Sequence, residues 1–124
     1  MRISRNKYRN VKFTLDGEHF DSLKEFRRWQ ELKLLEKAGE ITELRRQVPY
    51  EILPDQREPD KIGPRGGIKK GRIIERKAVY VADFVYKDRA GREVIEDCKG
   101  MRTKEYILKR KLLLFRFGIR ILES

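Results

Sequence analysis

The chain has 124 residues and a formal net charge of +11, with 41% charged and 39% hydrophobic residues. That length suits one domain with a single modest core and leaves no room for separate catalytic and targeting domains. One cysteine, Cys98, and one histidine, His19, exclude an intramolecular disulfide and a zinc site of thiols and imidazoles, while the positive balance in a chain able to fold points to a polyanionic partner, nucleic acid ahead of an acidic protein or an anionic membrane surface.

Residues 1–10 form a basic arm with Arg2, Arg5, Lys7 and Arg9. The arm lacks the apolar run of a signal peptide, and nowhere do about eighteen apolar residues occur together. The expectation is a soluble, cytoplasmic protein with no membrane association. The following VKFTLDGEHF flanks Asp16-Gly17 with short apolar alternations and reads as a β-hairpin.

Asp21 or Ser22 can cap a first helix in which Leu23, Phe26, Trp29, Leu32 and Leu34 are apolar and Gly39 supplies the stop. Lys24, Arg27, Arg28 and Glu31 make its solvated face, whereas Glu25 falls beside Trp29 and Leu32, an unusual place for a carboxylate. Residues 46–53, RQVPYEIL, read as a strand, edge or bulged because of Pro49. Residues 54–71 hold three prolines and four glycines with few apolar side chains, which reads as a long flexible basic loop.

Residues 72–87 alternate as a long strand, Asp88 to Gly91 make a turn, and Glu93 to Lys99 form the partner strand. Thr103 can cap a second helix that Gly118 closes, and IRIL near the C-terminus reads as a last short strand. After the hairpin the order is helix, three strands, helix, strand: an α/β domain with a mixed central sheet flanked by helices.

Chemistry concentrates in the paired strands. Asp83 is a single acid in the apolar run YVADFVY, and in VIEDCKG the residues Asp97 and Lys99, two apart, share a face that Glu96 and Cys98 do not. A plain four-residue loop would set Asp83 opposite Glu96, so bringing Asp97 to its face requires a bulge or another loop length. A register slip would instead make Glu96 the partner of Asp83. Two converging carboxylates repel and lose hydration, so they persist together chiefly around a divalent cation such as Mg²⁺, with a nearby lysine able to act on a phosphodiester. The bland alternatives are a solvated Asp97–Lys99 ion pair, a Glu25–arginine pair at the helix edge, and Cys98 as a small core residue.

These residues resemble the PD-(D/E)XK nuclease superfamily, whose core order is αβββαβ. The chain from Asp16-Gly17 through FDSLKEFRRW, LRRQVPY, YVADFVY, VIEDCKG and TKEYILKRK also looks like a family of small phage proteins assigned to that superfamily. Ala82 replaces the usual proline before the first acid, and Asp97 the commoner Glu. The resemblance implies a restriction-endonuclease-like core in which Asp83 and Asp97 hold Mg²⁺, or Mn²⁺ in its place. Lys99 would then be the catalytic lysine, Glu25 an additional acid and metal ligand, and Gln47 a polar residue near the site. It further implies cleavage of DNA, of Holliday-junction or branched form, in phage replication or recombination, by a homodimer and with replication or recombination proteins as partners.

Arg5, Lys7, Arg9, Arg65, Lys69, Lys70, Arg72 and Lys109, with Arg116 beside them, are the expected DNA-backbone contacts. The other readings are a non-catalytic nucleic-acid-binding protein, in which the acids are structural, and a nickase or nuclease subunit that needs a partner for targeting.

Overall fold

The computed structural model describes residues 2–5, 11–15, 17–99 and 101–124. In chain order the elements are β1 (Arg2–Arg5), β2 (Val11–Leu15), β3 (Glu18–Phe20), α1 (Leu23–Lys37), β4 (Thr42–Leu53), β5 (Gln56–Arg57), β6 (Lys61–Ile62), β7 (Ile68–Lys69), β8 (Ile73–Glu75), β9 (Ala78–Lys87), β10 (Glu93–Asp97), α2 (Lys104–Phe117) and β11 (Leu122–Glu123). The central sheet has the order β11-β10-β9-β4. Because β10 pairs with β9 antiparallel and with β11 parallel, the sheet is mixed. The expected α/β order, helix, three strands, helix, strand, is therefore present.

Both helices begin where their hydroxyl caps predict. The Ser22 Oγ accepts from the Glu25 N–H at 3.1 Å, and the Thr103 Oγ1 accepts from the Tyr106 N–H at 3.1 Å. Each satisfies one of the amide groups that a helix start leaves without an intrahelical partner. Gly118 ends α2 in the left-handed region at φ 68°, a conformation glycine adopts without the steric cost of a Cβ. Thr103→Ala is expected to destabilise the fold by about 1 kcal/mol, measured by urea denaturation, with Thr103→Ser close to wild type.

Two apolar layers hold the sheet. On one face Leu32, Ile41, Phe84 and Tyr86 pack with Trp29, Leu44 and Val94, and Trp29 stacks on Phe84 with the rings 7° from parallel. On the other, Tyr80, Ala82, Val85 and Ile95 meet Tyr106 and Leu113 of α2. Leu32 and Leu113 are wholly buried, and each contributes roughly 1.5–3 kcal/mol of apolar burial.

Membership of these layers exposes an irregularity. Along β9, Tyr80 and Ala82 face α2, but Phe84 and Tyr86 face α1, so the alternation changes phase at Asp83. Strand β4 does the same, with Leu44 toward α1 and Val48 and Tyr50 toward α2. The pairs Arg46↔Phe84 and Val48↔Ala82 place Gln47 across from Asp83 at the switch. Gln47 makes the turn with φ 51°, a region that non-glycine residues rarely enter and that often marks a site where function outweighs local strain.

The stretch 54–71, expected as a loop, instead contains paired strands. β5 pairs with β8 and β6 with β7, both antiparallel, and the Glu58 N–H donates to the Arg72 carbonyl between them. The pairs Val48↔Ala82, Arg57↔Ile73 and Lys61↔Lys69 keep nearly one register, so β4 to β9 form one long hairpin whose far half projects beyond the sheet. The proline and glycine content that suggested a loop serves the ribbon. Gly66, at φ 81°, closes the tip turn by donating to the Gly63 carbonyl. Gly71 lies so close to the Glu58 carbonyl that an added Cβ would stand 1.8 Å from its oxygen.

Two further differences are smaller. The basic arm includes β1, which pairs with β2, and the last strand is Leu122–Glu123, shifted toward the C-terminus from IRIL.

Candidate active site

Register brings the site together. The connection between β9 and β10 runs over residues 88–92, longer than a four-residue loop, and sets Phe84 opposite Glu96. One step further along the same antiparallel register, Asp83 stands across from Asp97, so no slip or bulge in β10 is needed. Asp97 is fully buried. Its Oδ1 accepts from the Asp83 N–H at 3.3 Å, its Oδ2 accepts from the Tyr80 hydroxyl, and the Lys99 ammonium lies 3.5 Å from the same Oδ2. The solvated ion pair considered above is thereby excluded, because the aspartate half of the pair has no contact with solvent.

Asp83 turns back toward β10, where its Oδ2 accepts from the Cys98 N–H at 2.9 Å. Burial, then the hydrogen bond and negative charge of Asp97, then the charge of Glu25, push the Asp83 carboxyl well above the ordinary aspartate range. One backbone donor does not offset two acidic neighbours in a site removed from water.

Glu96 shows the opposite solution on the other face of the same strand. It too is fully buried, but Arg28 grips it with Nε at 2.6 Å and Nη2 at 3.0 Å, and the Tyr86 hydroxyl donates at 2.7 Å. Burial pushes its carboxyl up, yet the bonds from Arg28 and Tyr86 outweigh it and hold the group below the usual glutamate range. Adjacent acids in one strand thus differ in kind, Glu96 matched by a guanidinium and Asp97 facing another acid.

Glu25 enters from the first turn of α1. Its carboxylate accepts from the Asp21 N–H at 3.1 Å, the Arg46 guanidinium at 3.3 Å and the Gln47 amide at 3.2 Å. Reaching back past the cap is a variant of the capping box, and the arginine that pairs with Glu25 comes from β4, not from the edge of its own helix. Burial still prevails, raising the Glu25 carboxyl above its ordinary value. Glu25 therefore reaches the Asp83–Asp97 pair through Gln47, whose backbone makes the phase switch across from Asp83.

A cavity of about 250 Å³ opens beside the carboxylates, lined by Val79, Tyr80, Val81, Lys99, Thr103, Glu105, Tyr106 and Lys109. Lys99 lies over the Tyr106 ring, 4.7 Å from its centroid, which anchors the ammonium while leaving it a donor toward the cavity. Lys109 is held by Glu105 at 3.0 Å. The cavity wall thus carries two ammonium groups, Lys99 and Lys109, against one carboxylate, Glu105.

Sequence reasoning overlooked Tyr80, Tyr106 and Arg46. Strict alternation puts Tyr80 on the face away from Asp83, so the phase switch concealed it. The Tyr106 and Arg46 contacts depend on tertiary packing. Arg116, expected on the same basic surface, instead donates to the Ile52 carbonyl at 2.7 Å, a structural bond. Arg65, Lys69, Lys70 and Arg72 lie on the projecting ribbon, away from the carboxylates in the chain but on the same β4–β9 hairpin. Lys7 and Arg9, and the side chain of Arg5, lie outside the described residues.

Among the described residues no group of three or more His, Cys, Asp or Glu side chains is arranged to hold a metal ion. The fit to a cation rests on two carboxylates, Asp83 and Asp97, an all-oxygen set of the kind Mg²⁺ takes with water and substrate oxygens completing its shell. Burial and the neighbouring Asp97 raise the Asp83 carboxyl, and a cation held between the two acids would favour their charged forms. No helix among the described residues is long and apolar enough to cross a membrane.

Gln47 gives a test of the switch. Gln47→Gly relieves the left-handed backbone and Gln47→Ala does not, so the glycine variant is expected to melt above the alanine variant, reversing the usual order in a strand. An alanine variant that melts higher would show that the backbone at Gln47 is not strained.

The model of the DUF1064 family, described as proteins of unknown function, matches residues 5–121, and the chain belongs to that family. No curated protein and no solved structure matches it.

Proposed function

We propose that this DUF1064 protein is a divalent-metal-dependent DNA endonuclease. The observation that carries the reading is the meeting of a half-buried Asp83 with a fully buried Asp97 across paired strands, with Lys99 at 3.5 Å from Asp97 and a cavity lined by Lys99 and Lys109 alongside. A structural acid pair would be expected to have its arginine, as Glu96 does.

In this reading Asp83 and Asp97 hold the cation. Bound there, Mg²⁺ supplies positive charge against the phosphodiester and its developing negative charge. Lys99, fixed by Asp97 and the Tyr106 ring, orients the attacking water and donates to the phosphate. Tyr80 fixes the Asp97 carboxylate, so that one oxygen is committed to the phenol. Glu25, already bonded to three donors, acts as a positioning residue for Gln47 and as added negative charge near Asp83; that role fits its geometry better than direct ligation. Lys109 extends the phosphate-facing surface.

The basic side chains Arg65, Lys69, Lys70 and Arg72 of the ribbon support recognition of DNA backbone and structure, as a junction or branch nuclease needs. Symmetric cutting of two strands calls for a homodimer, and the exposed apolar side chains Leu108 and Phe115 of α2 offer a surface for a second copy. Incubation with labelled four-way junction, flap, single-stranded and linear duplex DNA, in Mg²⁺, Mn²⁺ or EDTA, tests the reading. Cutting is expected only with metal and fastest on branched DNA. Tight binding without cutting in any metal would favour a non-catalytic binder, and cutting restored by an added protein would favour a partner-dependent subunit.

A further inference from the structure

The projecting ribbon has no role in holding the core. Its tip is built on Gly63-Pro64-Arg65-Gly66, a type I turn closed by a left-handed glycine, a common three-residue hairpin geometry. Just below it, Ile62 pairs directly with Ile68, and the two are 81% and 80% exposed. The next pair is Lys61↔Lys69, like charges placed opposite each other, an arrangement that destabilises a free hairpin. One face of the tip is thus a bare isoleucine pair and the other a bare lysine pair.

Residues 61–74 contain five basic residues and no acid, and no Asn, Gln, Ser or Thr. Of the four acids below the tip, Asp55, Glu58, Asp60 and Glu75, two are engaged in closing the ribbon, Asp60 accepting from the Gly71 N–H and Asp55 from the Lys77 N–H. Such a tip carries phosphate-binding charge but almost nothing to read the edges of bases. At about 3.3 Å per residue, the stretch from Pro54 to Pro64 reaches roughly 35 Å when extended, enough to cross a DNA duplex.

We infer that the β5–β8 ribbon is a DNA-bending arm: its tip enters the minor groove, the Ile62–Ile68 pair wedges between base steps, and Lys61 and Lys69 neutralise the phosphates on either side. Apolar wedges flanked by cations are the means by which minor-groove architectural proteins kink a duplex without sequence readout. DNA supplies what each face of the tip lacks, an apolar stack for the isoleucines and anions for the lysines. The inference rests on the reading that the chain acts on DNA, and gives that activity a way to select flexible or branched sites.

The test is fluorescence energy transfer across a short duplex labelled at both ends, with full-length protein in EDTA so that no cutting intervenes, alongside binding measured as a function of salt. Wild type is expected to shorten the end-to-end distance. Ile62→Ala with Ile68→Ala should return it to that of free DNA and weaken binding about tenfold with an unchanged salt dependence. Lys61→Ala with Lys69→Ala should lower the slope of log affinity against log salt by about 2. Both pairs are exposed, so thermal melting should be unchanged. Netropsin, a minor-groove ligand, should displace the arm. A wild-type protein that leaves the duplex straight, or isoleucine variants that bend it as wild type does, would overturn the inference. Bending without cutting in Mg²⁺ would uphold the arm and remove the nuclease reading; cutting with no contribution of the arm to bending would do the reverse.

Discussion

Asp97→Asn and Asp83→Asn are each expected to slow DNA cleavage by at least ~10³-fold while raising, or leaving unchanged, the melting temperature without metal. Loss of activity follows if two carboxylates are needed to hold one cation, because an amide oxygen is a far poorer ligand for Mg²⁺. The stability result has a separate origin. Asp83 is half-buried beside the fully buried Asp97 and feels Glu25 as well, so an isosteric neutral side chain removes repulsion and desolvation together. Active sites commonly give up stability in this way. Mg²⁺ should therefore raise the melting temperature of wild type and not of either variant, since a ligand that binds only the folded state stabilises it by mass action. Differential scanning fluorimetry with and without Mg²⁺, beside a cleavage time course, measures both halves. A variant that melts lower without metal and cuts normally would make the acids structural.

Arg28→Ala has the largest expected cost in stability, about 3 kcal/mol. It leaves Glu96 fully buried with the Tyr86 hydroxyl to meet its charge, and breaking a buried pair from one side is far more costly than replacing both partners. The low end of the usual range applies because the Arg28 side chain is 26% exposed and water can reach the vacated space. The pH dependence follows from the direction of the Glu96 shift. Its folded value lies below the 4.5 of an ordinary glutamate, so its contribution is complete above about that pH and is lost as pH falls through the folded value. Wild type should lose stability through this group on acidification below about 4.5, and Glu96→Gln should flatten that limb. Urea midpoints measured between neutral pH and mild acid decide it. An Arg28→Ala protein as stable as wild type would mean that Glu96 takes up a proton at little cost.

Much of this arrangement is legible in the residues. Ser22, Thr103, Gly39 and Gly118 bracket both helices because caps act locally and need no tertiary information. The shared face of Asp97 and Lys99 follows from strand alternation alone. What alternation could not show is the phase change, because no common rule places a left-handed backbone at a glutamine such as Gln47; the strain is supported by neighbours that only the fold assembles. The same change hid Tyr80 from the site. Registration of Asp83 with Asp97 and not Glu96 turned on the extent of one connection, residues 88–92, and boundaries are where sequence patterns carry least information.

The ribbon was obscured for another reason. Glycine and proline mark breaks in structure, and residues 54–71 contain enough of both to mask a hairpin. Its signal is symmetry about the tip: Ile62 with Ile68, Lys61 with Lys69, Gly63 with Gly67. That mirror pattern, centred on Arg65, is visible in the sequence once a hairpin is considered.

Binding of Mn²⁺, counted by electron paramagnetic resonance, tests the facing carboxylates most directly, because it reads the proposed site without requiring the correct DNA substrate. Wild type should take up Mn²⁺ at a saturable site that Mg²⁺ competes for, and the Asp83→Asn, Asp97→Asn double variant should lose it while remaining folded. Equal Mn²⁺ uptake by the two proteins, or none by wild type even with DNA present, would contradict a metal site at Asp83 and Asp97 and with it the nuclease proposed here.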